Sequence, residues 1–178
     1  WDIELDCAAL GGYKEVGGVH YRTDHDLGGH QKVSGTSQEV FFGGKKFVPH
    51  VLELSFGVDR MLLCLLDIHY AKEGERAYIR LPKAVAPFTA AVFPLVNKDG
   101  LPEKAADVQN MLKHAVDCFY DDAGSIGKRY YRQDEIGTFA CITVDYRTLE
   151  DGTVTVRDRD TTKQERVKIT ELAAKLKG

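Results

Sequence analysis

The segment Glu53-Leu54-Ser55-Phe56-Gly57-Val58-Asp59-Arg60 sets an acid, a hydroxyl and a cation at spacings that chemistry can use. On a strand, side chains two apart share a face, so Glu53 and Ser55 point one way and Leu54 and Phe56 the other. Gly57 lets backbone or ligand approach closely. Arg60 then falls in the first turn of the next helix, where a fixed guanidinium can meet phosphate oxygens. A glycine-turned strand-to-helix junction, with Asp59 as the helix cap, accounts for the same residues without any ligand. Glu15 and Arg22 are a second candidate pair: the two-pronged Arg22 can hold a carboxylate, and Glu15 can take a cation or a magnesium ion. A plain cross-strand ion pair is the competing explanation. Further on, Lys128, Arg129 and Arg132 fall within five residues of one predicted helix, and Arg157, Arg159, Lys163, Arg166 and Lys168 lie around and beyond a predicted strand. Both clusters can meet phosphates; solvated charged faces explain them equally well.

Other chemistries lack their signatures. Asp24-His25-Asp26 with His30 fits no H-x-x-x-H helix pattern, and loop histidines facing solvent are the commoner case, so no zinc is expected. Cys7, Cys64, Cys118 and Cys141 form no C-x-x-C pair and sit among apolar neighbours, which reads as structural thiols in a reducing compartment. The chain has neither a G-x-x-x-x-G-K-[ST] phosphate loop nor a G-x-S-x-G elbow. Gly124-Ser125-Ile126-Gly127-Lys128 is too short for the former, and Ser125 reads as the N-cap of a helix.

These side chains must be positioned by a definite order of elements. Trp1 to Cys7 alternates apolar and acidic residues, the pattern of a half-buried strand, and Tyr13 to His20 returns beside it after Gly11-Gly12. Thr23 to Gly35 is polar and glycine-rich. Gln38 to Phe42 and Lys46 to Phe56 are expected to pair across Gly43-Gly44. Val58, Met61, Leu62, Leu65 and Leu66 recur at helical spacing and predict a buried helix, followed by a charged break over Lys72 to Arg76. Leu81-Pro82-Lys83 with Pro87 marks a linker, placing a domain boundary near residue 82. Beyond it the pattern predicts strand Phe88 to Val96, helix Glu103 to Ala115, strand Val116 to Tyr120 and helix Ser125 to Ile136. Hairpin strands Phe139 to Tyr146 and Thr153 to Arg157 across Asp151-Gly152, and a helix over Ile169 to Leu176, complete it. Alternating strands and helices predict an α/β sandwich with a mixed sheet.

Composition bounds the rest. A chain of 178 residues holds one domain or two small ones, and 43% hydrophobic with 29% charged residues suits a folded protein. Residues 1–82 carry 9 basic and 12 acidic side chains and residues 83–178 carry 15 of each, so the net −3 lies in the first part. No global positive field advertises a polyanion, and any nucleic-acid contact is a local patch. No apolar run approaches the roughly 20 residues that cross a bilayer, and no leader opens the chain, so a cytosolic protein is expected. The first residue is Trp1 rather than Met, which reads as a piece of something longer.

Pro49-His50-Val51-Leu52-Glu53-Leu54-Ser55-Phe56-Gly57-Val58-Asp59-Arg60 resembles motif 3 of the dimeric class II glycyl-tRNA synthetases, P-[HN]-V-I-E-P-S-F-G-[IL]-x-R. Gly124 to Tyr130, Asp134-Glu135-Ile136-Gly137, Ile142 to Asp145 and Thr155 to Asp160 resemble that family's anticodon-binding domain in the same order. Ala86-Pro87-Phe88, Phe93-Pro94-Leu95 and Tyr120-Asp121-Asp122 fit between them, so the similarity covers nearly the whole chain. The resemblance implies the end of an antiparallel catalytic sheet over 1–82 and an α/β anticodon-binding domain over 83–178. It also implies a glycine–tRNA ligase that forms glycyl-adenylate from ATP and passes glycine to tRNA, a homodimer when intact. Arg60 would be the catalytic contact to the ATP triphosphate. Glu53 and Ser55 would read the glycine ammonium, Glu15 would lie on the ATP–magnesium side and Arg22 on the glycine carboxylate. Lys128, Arg129, Arg132, Arg157 and Arg159 would meet tRNA. Leu54 stands where the family has proline, Lys128 replaces an arginine, Tyr131 replaces a small residue, and Gly17 stands where some members carry an acid. Motifs 1 and 2 are absent, which implies that these residues alone are inactive and retain tRNA binding at most. The alternative is a synthetase-like accessory protein that has lost catalysis; the joint presence of Glu15, Arg22, Glu53, Ser55 and Arg60 argues against it.

Overall fold

A computed structural model describes residues 1–177 and resolves them into two compact units, Trp1–Ile68 and a second beginning at His69. The first is built on a three-stranded antiparallel sheet in which β2 (Gly12–Thr23) lies between β1 (Asp2–Cys7) and a later strand, β5 (Val51–Phe56). The polar, glycine-rich stretch that follows β2 is not a loop: it forms α1 (His25–Ser34), closed by Gly35 at φ 70°, a left-handed conformation that glycine adopts without strain. Gly43 and Gly44, at φ 61° and 76°, turn a short hairpin between β3 (Val40–Phe42) and β4 (Lys45–Phe47). That hairpin stops at Phe47, so β5 is free to join the main sheet instead of extending it. Gly57 then leads into α2 (Val58–His69), the predicted helix.

The expected burial of this unit is not met. Its fully buried apolar side chains are Cys7, Val16 and Cys64, with Leu10 beside them. Ile3, Leu52, Leu54, Phe56, Met61 and Leu62 are all exposed, because among the described residues of the unit nothing covers the apolar side of β1 and β5 or the outer side of α2.

The second unit opens with a hairpin, β6 (Tyr70–Glu73) and β7 (Arg76–Ile79), where the charged run predicted a break. Its core is a five-stranded mixed sheet formed by β8 (Ala90–Pro94), β9 (Cys118–Tyr120), β10 (Ala140–Val144), β11 (Thr153–Asp158) and β12 (Gln164–Lys168), in the order β12-β11-β10-β8-β9. Strands β8, β9 and β10 run parallel, and β11 and β12 are antiparallel to their neighbours. Parallel strands covered on both faces read as unbroken apolar runs, as in Ala90-Ala91-Val92-Phe93 and Ala140-Cys141-Ile142. Val92, Ile142 and Val144 pack under α3 (Leu101–Leu112) and the terminal α6 (Leu172–Lys177), while Ala91, Phe93 and Cys141 pack under α4 (Ile126–Ile136) through Ile126 and Tyr130. Ser125 caps α4 as expected, its hydroxyl accepting from the Lys128 N–H. A short helix, α5 (Tyr146–Asp151), with a reciprocal Asp145–Thr148 capping box, joins β10 to β11 in place of the expected tight hairpin.

The units divide after Ile68, ahead of the expected boundary near residue 82, because β7 is bonded into the second unit. Arg76 Nε donates to Asp134 Oδ2 at 2.8 Å and Arg76 Nη2 to the Arg159 carbonyl at 2.5 Å. No helix of the described residues is long and apolar enough to cross a membrane.

Candidate functional site

In the first unit the register of the sheet decides which of the residues singled out in the sequence share a face. Gly18 lies opposite both Asp2 and Ser55, His20 opposite Glu53, and Glu15 opposite Glu4, and cross-strand partners share a face. By simple alternation Glu15 and His20 would point to opposite sides. A bulge resolves this: Ile3 pairs with Gly17 and Glu4 with Glu15, leaving Val16 as the extra residue that shifts the side-chain alternation. Ligand atoms of Asp2, Glu15 and His20 consequently lie within 4.8 Å of one another. One face thus carries Asp2, Glu4, Glu15, Glu53, Ser55, His20 and Arg22; the other carries Leu52, Leu54 and Phe56. Glu53 and Ser55 on one side and Leu54 and Phe56 on the other is the division the strand pattern predicts.

Two glycines make this arrangement possible. A Cβ on Gly18 would stand 2.0 Å from His20 Nε2, and one on Gly17 would stand 2.5 Å from the Phe56 ring. Neither position accepts a side chain without displacing its neighbour. At the end of β5, the Gly57 N–H bonds to the Val16 carbonyl at 2.9 Å, which fixes the start of α2 against the bulge. Arg60 reaches back from α2 to donate to the Glu15 carbonyl. Glu15, Gly17, Ser55, Gly57, Asp59 and Arg60 line a cavity of about 380 Å³, so Arg60, Glu15 and Ser55 are brought together at one opening.

Arg22 is more committed than the sequence reading expects. A second bulge, between Tyr21 and Thr23, leaves it unpaired in the ladder. Its guanidinium forks onto Asp26 (Nε–Oδ2 2.5 Å, Nη2–Oδ1 2.8 Å) and contacts Glu53 Oε2 at 3.1 Å. Hydrogen bonding to Asp26, with the charges of Asp26 and Glu53, raises the Arg22 pKa, and Arg22 lowers that of Asp26. Glu15 is not its partner. Asp26 and His20 are the site residues the sequence reading misses; the signal for Asp26 is its place four residues after Arg22, one turn along α1.

In the second unit, three of the expected tRNA contacts are buried and bonded to protein oxygens. Arg129 is 1% exposed, and its guanidinium donates to the carbonyls of Pro94, Asp122, Ala123 and Gly124 and to Asn97 Oδ1, tying together the loops after β8 and β9. Arg157, 8% exposed, makes a two-pronged pair with Asp134 at 2.9 and 3.0 Å. Burial works against its charge and Asp134 more than offsets that, so its pKa is raised. Arg159, 2% exposed, donates to the carbonyls of Gly137 and Leu81 and pairs with Asp160. In Arg129 and Arg159, buried and with Nε and both Nη atoms bonded to protein oxygens, little donor capacity is left for a phosphate, whereas Arg157 spends only its two Nη atoms on Asp134. Arg132 is partly exposed and pairs with Asp121. Lys128 is exposed, as are Lys163 and Lys168. The sequence clusters therefore mix buried arginines, Arg129, Arg157 and Arg159, with partly exposed Arg132 and Arg166 and with exposed lysines.

The cysteines are free; burial pushes the thiols of Cys118 and Cys141 up to about 12, which leaves them protonated and unreactive at neutral pH.

Residues 89–178 match the family model described as the anticodon binding domain. Over a longer stretch, the chain is similar to curated glycine–tRNA ligases. It is 48% identical over 168 residues to that of Chlorobaculum tepidum (91% of this chain, 36% of the relative). It is 52% identical over 135 residues to that of Methanocaldococcus jannaschii (75% and 23%). It is 41% identical over 189 residues to that of Treponema denticola (99% and 42%). The chain spans between 23% and 42% of the length of these relatives.

Proposed function

Because the chain belongs to the anticodon binding domain family, we propose that its second unit binds the anticodon stem-loop of a tRNA and that its first unit contributes the glycine- and ATP-facing sheet of a glycine–tRNA ligase. The observation that carries this reading is the bulged register of β1, β2 and β5, which sets Glu15, Glu53, Ser55 and Arg22 on one face with Arg60 at its edge. An ammonium group is held by Glu53 and Ser55, one carboxylate and one hydroxyl acceptor. Arg22, kept in place by Asp26, faces the carboxylate end. An arginine and a glutamate clamped on either end of so small an amino acid leave no room for a side chain, which is how such a site rejects larger substrates.

The residues present also fit a polyphosphate with a divalent cation. Arg60 supplies the positive charge beside a cavity of about 380 Å³, and Glu15 and Asp59 supply hard oxygen ligands of the kind magnesium takes. Bound ATP provides the leaving pyrophosphate for activation of glycine. The chain's own contribution is positioning and charge neutralisation, with no protein nucleophile. The working form is a cytoplasmic homodimer whose partners are glycine, ATP and a glycine-specific tRNA.

Of the exposed cations, Lys128, Lys163 and Lys168 are the proposed phosphate contacts, with Arg132 able to exchange Asp121 for a phosphate. Their affinity falls with salt as counterions are released. Glycine-dependent ATP–pyrophosphate exchange by the complete reading frame tests the ligase reading; absence of exchange would sink it. The 178 residues by themselves are expected to give none, and measurable exchange by them would show that this sheet is sufficient.

A further inference from the structure

The small core of the first unit holds two thiols side by side. Cys7 ends β1 and Cys64 lies in the middle of α2; both are 0% exposed, and with Val16 they are the fully buried apolar side chains of the unit. A hydrogen bond fixes the two elements in this register: Asp67 Oδ2, one turn beyond Cys64, accepts from the Ala9 N–H, two residues beyond Cys7, at 3.2 Å. The other free cysteines are placed differently. Cys118 on β9 and Cys141 on β10 belong to separate clusters, and β8 lies between their strands. Each of those is an isolated thiol, whereas the Cys7 thiol is hydrogen-bonded to Cys64.

Two properties of the pair set its chemistry. Burial, hydrogen bonding to Cys64 and to Asp67, and the charge of Asp67 push the Cys7 thiol up to about 11, so it stays protonated and inert while the unit is closed. That protection is only as strong as the packing. Among the described residues the core of this unit is Cys7, Val16 and Cys64 with Leu10 beside them, and a region so sparsely packed opens locally at low cost. Once opened to water, a thiol regains its ordinary acidity and attacks a disulfide; on reclosing, the thiol beside it is the nearest second nucleophile.

We propose that Cys7 and Cys64 form an oxidation site that takes a low-molecular-weight disulfide such as oxidised glutathione and closes a covalent bond between the end of β1 and α2. The Cys7 thiolate attacks one glutathione sulfur, forming a mixed disulfide and releasing the first glutathione thiolate. The Cys64 thiolate then attacks the Cys7 sulfur, the Cys7–Cys64 bond forms, and the second glutathione thiolate leaves. Two protein thiols are oxidised, one glutathione disulfide is reduced to two thiols, and the leaving thiolates take up the two protons. The bond lies one helical turn from Arg60 and beside Val16, the extra residue of the bulge, whose carbonyl accepts from the Gly57 N–H. Oxidation therefore ties the sheet to the helix that sets Arg60 against the Glu15 carbonyl.

The test equilibrates the 178-residue chain in glutathione buffers of graded ratio, quenches with acid and locates every disulfide by peptide mass spectrometry. A parallel series contains denaturing guanidinium chloride. In denaturant the pair, 57 residues apart (64 − 7), should show an effective concentration on the order of millimolar. In the folded chain it should be roughly a hundred- to a thousandfold higher, the factor by which a bond that suits the fold stabilises it against the opened chain. Hydrogen exchange of the α2 amides should slow on oxidation, and Cys64→Ala should hold glutathione on Cys7 as a mixed disulfide. An effective concentration no higher in the folded chain than in denaturant overturns the proposal. So does a disulfide mapped to any other two of the four cysteines, unchanged α2 exchange, or a Cys64→Ala variant that still loses two thiols per chain to an internal bond.

Discussion

Strands β8 and β10 of the second unit are buried on both faces along their length, whereas β1 and β5 of the first leave Ile3, Leu52, Leu54 and Phe56 in solvent and bury only Cys7 fully. The second unit also folds its own charges inward, with Arg129, Arg157 and Arg159 bonded to protein oxygens. The first turns an acid-rich face outward and leaves its apolar side open. The second unit thus completes its own core, and the first leaves one polar and one apolar surface uncovered among the described residues. Exposed apolar area of that extent marks an interaction surface. Units packed so differently should differ in stability, and the contrast can be tested.

The largest effect should follow removal of Asp134, which neutralises the Arg157 fork and also holds Arg76. Leaving buried cations unpaired costs about 3–5 kcal/mol. Asp134→Ala should therefore lower the stability of the second unit by that much, as denaturant titration followed by circular dichroism would record. A change below about 1 kcal/mol would mean that water already reaches the pair.

Truncation of apolar residues sharpens the comparison more directly. Leu112→Ala, at a fully buried position of α3, should cost about 2–5 kcal/mol. Leu54→Ala, at a residue 65% exposed in the first unit, should stay within about 0.5 kcal/mol. Equal costs would show that the apolar side of β5 is covered in solution. Native-state hydrogen exchange should rank the units in the same order, with the amides of β8 and β10 exchanging last and those of β1 among the first.

The smallest effect is one of pH. A hydrogen bond from the Thr153 hydroxyl, its backbone N–H and the charge of Arg147 together lower the Asp151 carboxyl to about 2. A group depressed in the folded state contributes stability above its unfolded pKa, about 3.9, and loses it as pH falls towards the folded value. Asp151→Asn should remove that contribution, lowering second-unit stability slightly above pH 5 and flattening its acid loss between those two values, as thermal melts across that range would record.

Much of this is legible in the residues. Alternation in Trp1 to Cys7 separates the acidic from the apolar face, and the Glu53-x-Ser55 spacing places both on one side, because strand geometry needs nothing but period two. Unbroken apolar runs give the parallel strands of the second unit. What strand periodicity cannot give is a bulge: the extra residue Val16 puts Glu15 with His20, and that depends on pairing between strands distant in sequence. Nor does clustering of arginines reveal their direction. Arg129 reads like its neighbour Lys128, yet it is the one that α4 turns into the loops after β8 and β9. Tertiary acceptors decide that, and they come from residues 94 to 124 rather than from the helix itself. The helix α1 is hidden by Gly28 and Gly29, whose weak propensity is overridden in part by the Arg22–Asp26 pair and the Gly35 cap.

The division of labour between the two units is tested most directly by comparing the two half-reactions of the complete reading frame in variants of each unit. Glu53→Gln should abolish glycine-dependent ATP–pyrophosphate exchange, since it removes the carboxylate proposed to meet the ammonium. Lys128→Glu should raise the KM for tRNA in the charging reaction while exchange persists. Exchange that survives Glu53→Gln, or that disappears with Lys128→Glu, would contradict the account.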